Sequence, residues 1–141
     1  MERREFISRR PSDTWAIGEL IGRTAKRGEL YAIYGELGTG KTQLVKGIAK
    51  GMGVDDWEYV LSPSFTIMNR YDGKEYPLWH IDLYRIEADE IEDLQIEELL
   101  EEGVVVVEWA ERRDWGKWVI RVEIEVIEDD ERRIVIERPQ F

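Results

Sequence analysis

The chain has 141 residues, of which 31 are acidic and 20 basic, for a formal net charge of −11. It has no cysteine, which excludes disulfides, thiolate nucleophiles and Cys-ligated zinc and suits a reducing, cytoplasmic setting. The 43% hydrophobic content excludes a disordered chain. No apolar run approaches the roughly 20 residues of a membrane span, so no membrane contact is expected. So acidic a protein is a poor stand-alone binder of nucleic acid.

At this length one domain spanning 1–141 is expected, burying about 68–70% of its unfolded surface. Residues 5–8 (EFIS) predict a short strand. Ser12 or Asp13 then caps a helix running to about Arg27, with Ile17, Leu20, Ile21 and Thr24 on one face and Gly28 as its stop. Residues 29–34 (ELYAIY) are a mostly apolar run, the pattern of a strand buried on both faces. A glycine-rich turn leads into a helix over 41–50, with Leu44, Val45 and Ile48 inward and Gly51 and Gly53 ending it. Strands are expected at 65–71 and 78–82. A helix follows at about 88–101, its apolar stripe being Ile91, Leu94, Leu99 and Leu100.

Val104 to Val107 reads as a second doubly buried strand, and 118–127 with 132–138 as a hairpin turning at Glu128–Glu131 with one wet face. Buried strands, crossover helices and a terminal antiparallel pair define the fold class as α/β. The expected architecture is a three-layer sandwich, parallel in the middle of the sheet and antiparallel at its edges.

Gly35-Glu36-Leu37-Gly38-Thr39-Gly40-Lys41-Thr42 fits G-x-x-x-x-G-K-[ST], with the buried strand before it and the amphipathic helix after it. Glycines let such a loop turn successive backbone N–H groups toward an anion, and the helix N-terminus adds its partial positive charge. Lys41 is placed for the β- and γ-phosphates, and the Thr42 hydroxyl for Mg²⁺.

A phosphate loop also needs an acid at the end of a neighbouring strand. Glu108, directly after the valine run, and Asp82, ending the 78–82 strand, both qualify as catalytic and metal-binding candidates. His80 lies two residues before Asp82, on the same strand face, and is open between a site role and a structural one. The hydroxyls of Ser62-Pro63-Ser64-Phe65-Thr66 can sense a γ-phosphate, or form an ordinary loop. Asn69-Arg70-Tyr71-Asp72 lacks the lysine of a guanine-reading motif and lies before the acidic strand, which favours adenine.

Together these residues resemble the TsaE family, also called YjeE, small bacterial ATPases of tRNA threonylcarbamoyladenosine synthesis. Four blocks carry the resemblance over about 12–137: GELGTGKT (35–42), SPSFT (62–66), HIDLYR (80–85) and VEWAE (107–111). Ser64 stands where threonine is commoner, and Ala110 where proline is usual.

The resemblance implies that the sandwich is P-loop NTPase-like, that residues 35–42 cradle ATP, that Thr42 and Glu108 serve Mg²⁺, and that Asp82 supports the metal or the attacking water. It implies a γ-phosphate response at 62–66, including Thr66, and an adenine-wrapping N-terminal segment around Ser12 to Thr14. Trp109 either shapes the nucleotide edge or packs in the core. The implied partners are TsaB and TsaD, which modify tRNA while this ATPase keeps them turning over, so that tRNA is met only through the complex. A small-molecule kinase and a nucleotide-binding regulator are the competing readings.

Overall fold

The computed structural model describes residues 2–36, 38–63 and 66–139. The expectations for Leu37, Ser64 and Phe65 fall outside the described residues. Seven strands form one sheet: β1 (Glu2–Ser8), β2 (Leu30–Tyr34), β3 (Met68–Asp72), β4 (Pro77–Asp82), β5 (Val104–Glu108), β6 (Ile120–Glu128) and β7 (Glu131–Arg138). Their spatial order is β1-β7-β6-β2-β5-β4-β3. β6, β2, β5 and β4 run parallel, while β1 and β7 at one edge and β3 at the other pair antiparallel. The expected mixed sheet is present.

Helices α1 (Pro11–Thr24) and α2 (Lys41–Gly51) cover one face. There Tyr31, Ile33, Val104, Val106 and Val122 meet Ile17, Ile21, Leu44, Val45 and Ile48. The other face carries Leu30, Ala32, Val105 and Val107. They pack with Ile91, Ile96 and Trp115, from a 3₁₀ segment (Ala88–Leu94), helix α3 (Ile96–Glu102) and the loop before β6. All five residues of β5 are buried, which is why its valine run has no polar alternation. Full burial stabilises by about 1.5–3 kcal/mol for each large aliphatic side chain.

Five expectations are corrected. α1 begins at Pro11, whose fixed φ suits the first helical position, and ends at Thr24 rather than Arg27. Its apolar stripe is also rotated. Leu20 is 52% exposed and Thr24 is exposed, while Thr14, Gly18 and Gly22 are buried with Ile17 and Ile21. The cause is α2. A Cβ on Gly18 would lie 2.4 Å from the Leu44 carbonyl oxygen, and one on Gly22 2.1 Å from that of Ile48. The helices touch backbone to backbone, so glycine rather than leucine marks the contact face.

The helix expected at 88–101 is two pieces, because Gln95 takes a left-handed conformation (φ 54°) between the 3₁₀ segment and α3. Ile91 and Ile96 are the buried anchors, with Leu94, Leu99 and Leu100 half-buried. The strand expected at 65–71 runs over Met68–Asp72, and that expected at 118–127 over Ile120–Glu128.

Candidate nucleotide-binding site

The turn from β2 into α2 carries the glycine motif. Gly38 and Gly40 have φ of 81° and 100°, conformations that side chains with a Cβ rarely adopt. Gly40 is the residue before the first turn of α2, and no side chain caps that helix end. Its leading N–H groups therefore stay available to an anion, with the helix dipole behind them.

Lys41 opens α2 and is only 6% exposed. Its Nζ donates to the Gly35 carbonyl at 2.7 Å and sits 3.6 Å from the centre of the Trp109 ring. Burial pushes the ammonium below its usual pKa, while the charges of Glu108, Glu111 and Asp82 pull it back up. A desolvated cation held by a carbonyl and a π-face is a strong receptor for phosphate.

The acids arrive on adjacent strands. Asp82 and Glu108 end β4 and β5 as register partners, and are 3% exposed each. Both sit at the carboxyl edge of the parallel strands, where ligands of open α/β sheets bind. Two neighbouring carboxylates repel, and each has its own donors here. Asp82 Oδ2 accepts from Ser62 Oγ at 2.6 Å, and Oδ1 from the Tyr84 backbone N–H at 2.8 Å. Glu108 Oε2 is hydrogen-bonded to Nε2 of the fully buried His80.

Ser62 and Ile67 both hold the same acid. Besides the Ser62 bond, the Asp82 N–H donates to the Ile67 carbonyl at 2.8 Å, and the Ile67 N–H to that of Pro63 at 2.7 Å. Ile67 holds φ 70°, a strained value for a β-branched residue. Trp109 is likewise left-handed, at φ 59°. Such residues cost about 1–3 kcal/mol each and gather at ligand sites.

One cavity, about 480 Å³ in volume, gathers most of the expected residues: Gly38, Gly40, Lys41, Thr42, Asp82, Glu108 and Trp109 all line it. Ser62, Tyr84 and Arg85 line it too. Tyr84 and Arg85 were read only as part of a motif string, and strand order alone could not bring them beside the phosphate helix. Tyr84 also stacks on Trp109, with ring centres 4.9 Å apart.

Other expected residues lie elsewhere. Gly35, Glu36 and Thr39 line a separate groove beside β6 and β7, about 540 Å³ in volume. Thr66 is exposed and donates to Asn69 Oδ1 at 3.0 Å. Ser12 is an exposed residue of the first turn of α1. Thr14 is buried and shares a hydrogen bond with Ser8 at 2.7 Å. That corner reaches the phosphate loop at one remove, since Ser8 is in register with Arg132, whose Nε donates to the Thr39 carbonyl.

Thr42, Asp82 and Glu108 supply hydroxyl and carboxylate oxygens alone, a hard donor set. That donor set fits Mg²⁺, which binds through one or two carboxylates together with substrate phosphates and water. Among the described residues, no helix is long and apolar enough to cross a membrane.

The model of the family described as "Threonylcarbamoyl adenosine biosynthesis protein TsaE" matches residues 8–135. The chain is 40% identical over 127 residues to the "tRNA threonylcarbamoyladenosine biosynthesis protein TsaE" of Bacillus subtilis, covering 88% of this chain and 78% of that one. It is 36% identical over 135 residues to the protein of the same name from Aquifex aeolicus, with 96% of each covered. The crystal structure of Bacillus subtilis YdiB superposes with a TM-score of 0.74 at 32% identity, covering 96% of this chain and 84% of that one.

Proposed function

The chain belongs to the TsaE family, and from that premise we propose that it is a cytoplasmic, Mg²⁺-dependent ATPase. Its hydrolysis would sustain tRNA threonylcarbamoyladenosine synthesis by a TsaB–TsaD complex. The observation that carries the reading is one cavity lined by a desolvated Lys41, the Thr42 hydroxyl and the paired carboxylates Asp82 and Glu108.

The open N–H groups of α2 and Lys41 hold the β- and γ-phosphates. Thr42, Glu108 and Asp82 would hold Mg²⁺, which would supply neutralisation of the charge that develops on the phosphate oxygens. Glu108 orients the water that attacks the γ-phosphorus, on the side opposite the bond to ADP. As that bond breaks, ADP and phosphate separate, and a carboxylate of the pair takes the water's proton. Ser62 Oγ and the Ile67 carbonyl both bond Asp82, so the positions of these residues and of the acid change together. Ser12 and Thr14 lie outside the cavity, and family membership alone assigns them to the adenine side.

Thermal melting with different nucleotides tests the binding half of this reading. Mg·ATP or Mg·ADP at a hundredfold excess over Kd stabilises by about 2.7 kcal/mol, and guanine nucleotides by less. Equal or larger shifts with GTP would remove the adenine assignment. ADP release, measured with small acceptors and with TsaB–TsaD, tests the other half. Stimulation by protein fits the proposal; stimulation by a small acceptor alone identifies a kinase, and no response to either a regulator.

A further inference from the structure

We propose that His80 is the positioning residue for Glu108: its Nε2–H holds one carboxylate oxygen so that the other is presented to the nucleotide pocket. This rests on the reading of Glu108 as the working acid of the site.

His80 is 0% exposed, and its Nε2 meets Glu108 Oε2. A carboxylate oxygen accepts and an imidazole N–H donates, and on the proposal the proton of this contact lies on Nε2. Nδ1 has no hydrogen-bond partner among the described residues. The ring therefore engages its surroundings through a single polar contact, aimed at one oxygen of one acid. As mere filling, an imidazole would be a poor choice, because a buried unpaired polar atom costs about 1–3 kcal/mol.

The neighbouring acid shows the contrast. Both oxygens of Asp82 have donors, Ser62 Oγ and the Tyr84 N–H. For Glu108, the described residues hold Oε2 alone, which leaves Oε1 for the cavity that Glu108 lines. The rotation of the carboxylate thus depends on His80. Partners that orient a ligating or reacting side chain in this way typically change affinity or activity by about 10- to 100-fold when removed.

The test uses three substitutions and one spectrum. His80→Gln carries an amide N–H as far from the backbone as Nε2, His80→Asn falls short of it, and His80→Leu fills similar space with no donor. Turnover should stay within about threefold of the parent in His80→Gln and fall about 10- to 100-fold in the other two. Their ATP affinity should hold, because Lys41 and the loop are untouched.

The chain's only histidine also gives a single imidazole in a ¹⁵N–¹H spectrum of the ligand-free protein. It should show a protonated Nε2 whose signal moves in Glu108→Gln. A folded His80→Leu protein with parental turnover, while Glu108→Gln is inactive, would overturn the positioning role and leave the site reading intact. An unprotonated Nε2 in the parent would overturn it independently of any variant. Parental turnover in Glu108→Gln would overturn both.

Discussion

Lys41 Nζ has two partners in this structure, the Gly35 carbonyl and the face of Trp109, and neither neutralises its charge. Phosphate does, in the ground state and throughout the reaction. Lys41→Ala should therefore lose ATP affinity and turnover together. Glu108→Gln keeps the shape of the side chain and removes a negative charge from beside the phosphates. It should bind ATP at least as tightly as the parent while hydrolysis falls about 10²-fold or more, the usual loss for a positioned acid–base or electrostatic group. Nucleotide titrations and single-turnover assays on both variants separate the two roles. Parental hydrolysis by Glu108→Gln would move the role to Asp82.

Much of the site at this scale was legible because its signals are local. The glycine motif fixes the phosphate loop within eight consecutive residues, and Glu108 and Asp82 were legible as the last residues of apolar strands. The clasp of Ser62 on Asp82, the seat of Trp109 over Lys41 and the presence of Arg85 at the cavity were not. Each depends on how a loop leaves the sheet, which no periodicity encodes.

Between elements, the α1–α2 contact is set by glycine. The four residues Gly18, Gly22, Gly47 and Gly51 interleave so closely that a Cβ on any of them would lie 2.1–2.4 Å from a carbonyl oxygen of the opposite helix. Hydrophobic periodicity misread this face, because it counts side chains and the contact is made by backbone. Gly22→Ala or Gly47→Ala should cost about 1–3 kcal/mol or more through overpacking, although alanine is the better helix former. Leu20→Ala, at the position once assigned inward, should cost well under that, since the side chain is 52% exposed. Denaturant melts of the three variants decide the point; a larger loss at Leu20 than at the glycines would refute the packing account. α2 begins at Lys41, so loosening this seam should also weaken nucleotide binding. The break at Gln95 was equally hidden, because it is a left-handed turn (φ 54°) at a residue that hydrophobic spacing does not mark.

For the molecule as a whole, charge and architecture divide the work. A chain of net charge −11 has little means of neutralising the phosphates of tRNA, yet at one cavity it sets a buried lysine beside the uncapped N-terminus of α2. The isolated protein should accordingly show negligible tRNA binding at physiological salt in a filter-binding or anisotropy titration. Tight, salt-sensitive binding would contradict that division. The mixture of a parallel centre with antiparallel edges was readable from the contrast between apolar runs and alternating ones; the strand order, which sets β2, β5 and β4 side by side, was not.

The most direct test of the central claim is reconstitution of tRNA threonylcarbamoyladenosine formation from purified TsaB, TsaD, tRNA and the activated threonylcarbamoyl donor. Product per TsaD is measured over many cycles with this protein present, omitted, or replaced by Glu108→Gln. The account predicts sustained, ATP-dependent turnover with the parent protein, and product that stalls near a single round with the variant or with none. Equal product in all three reactions would contradict it.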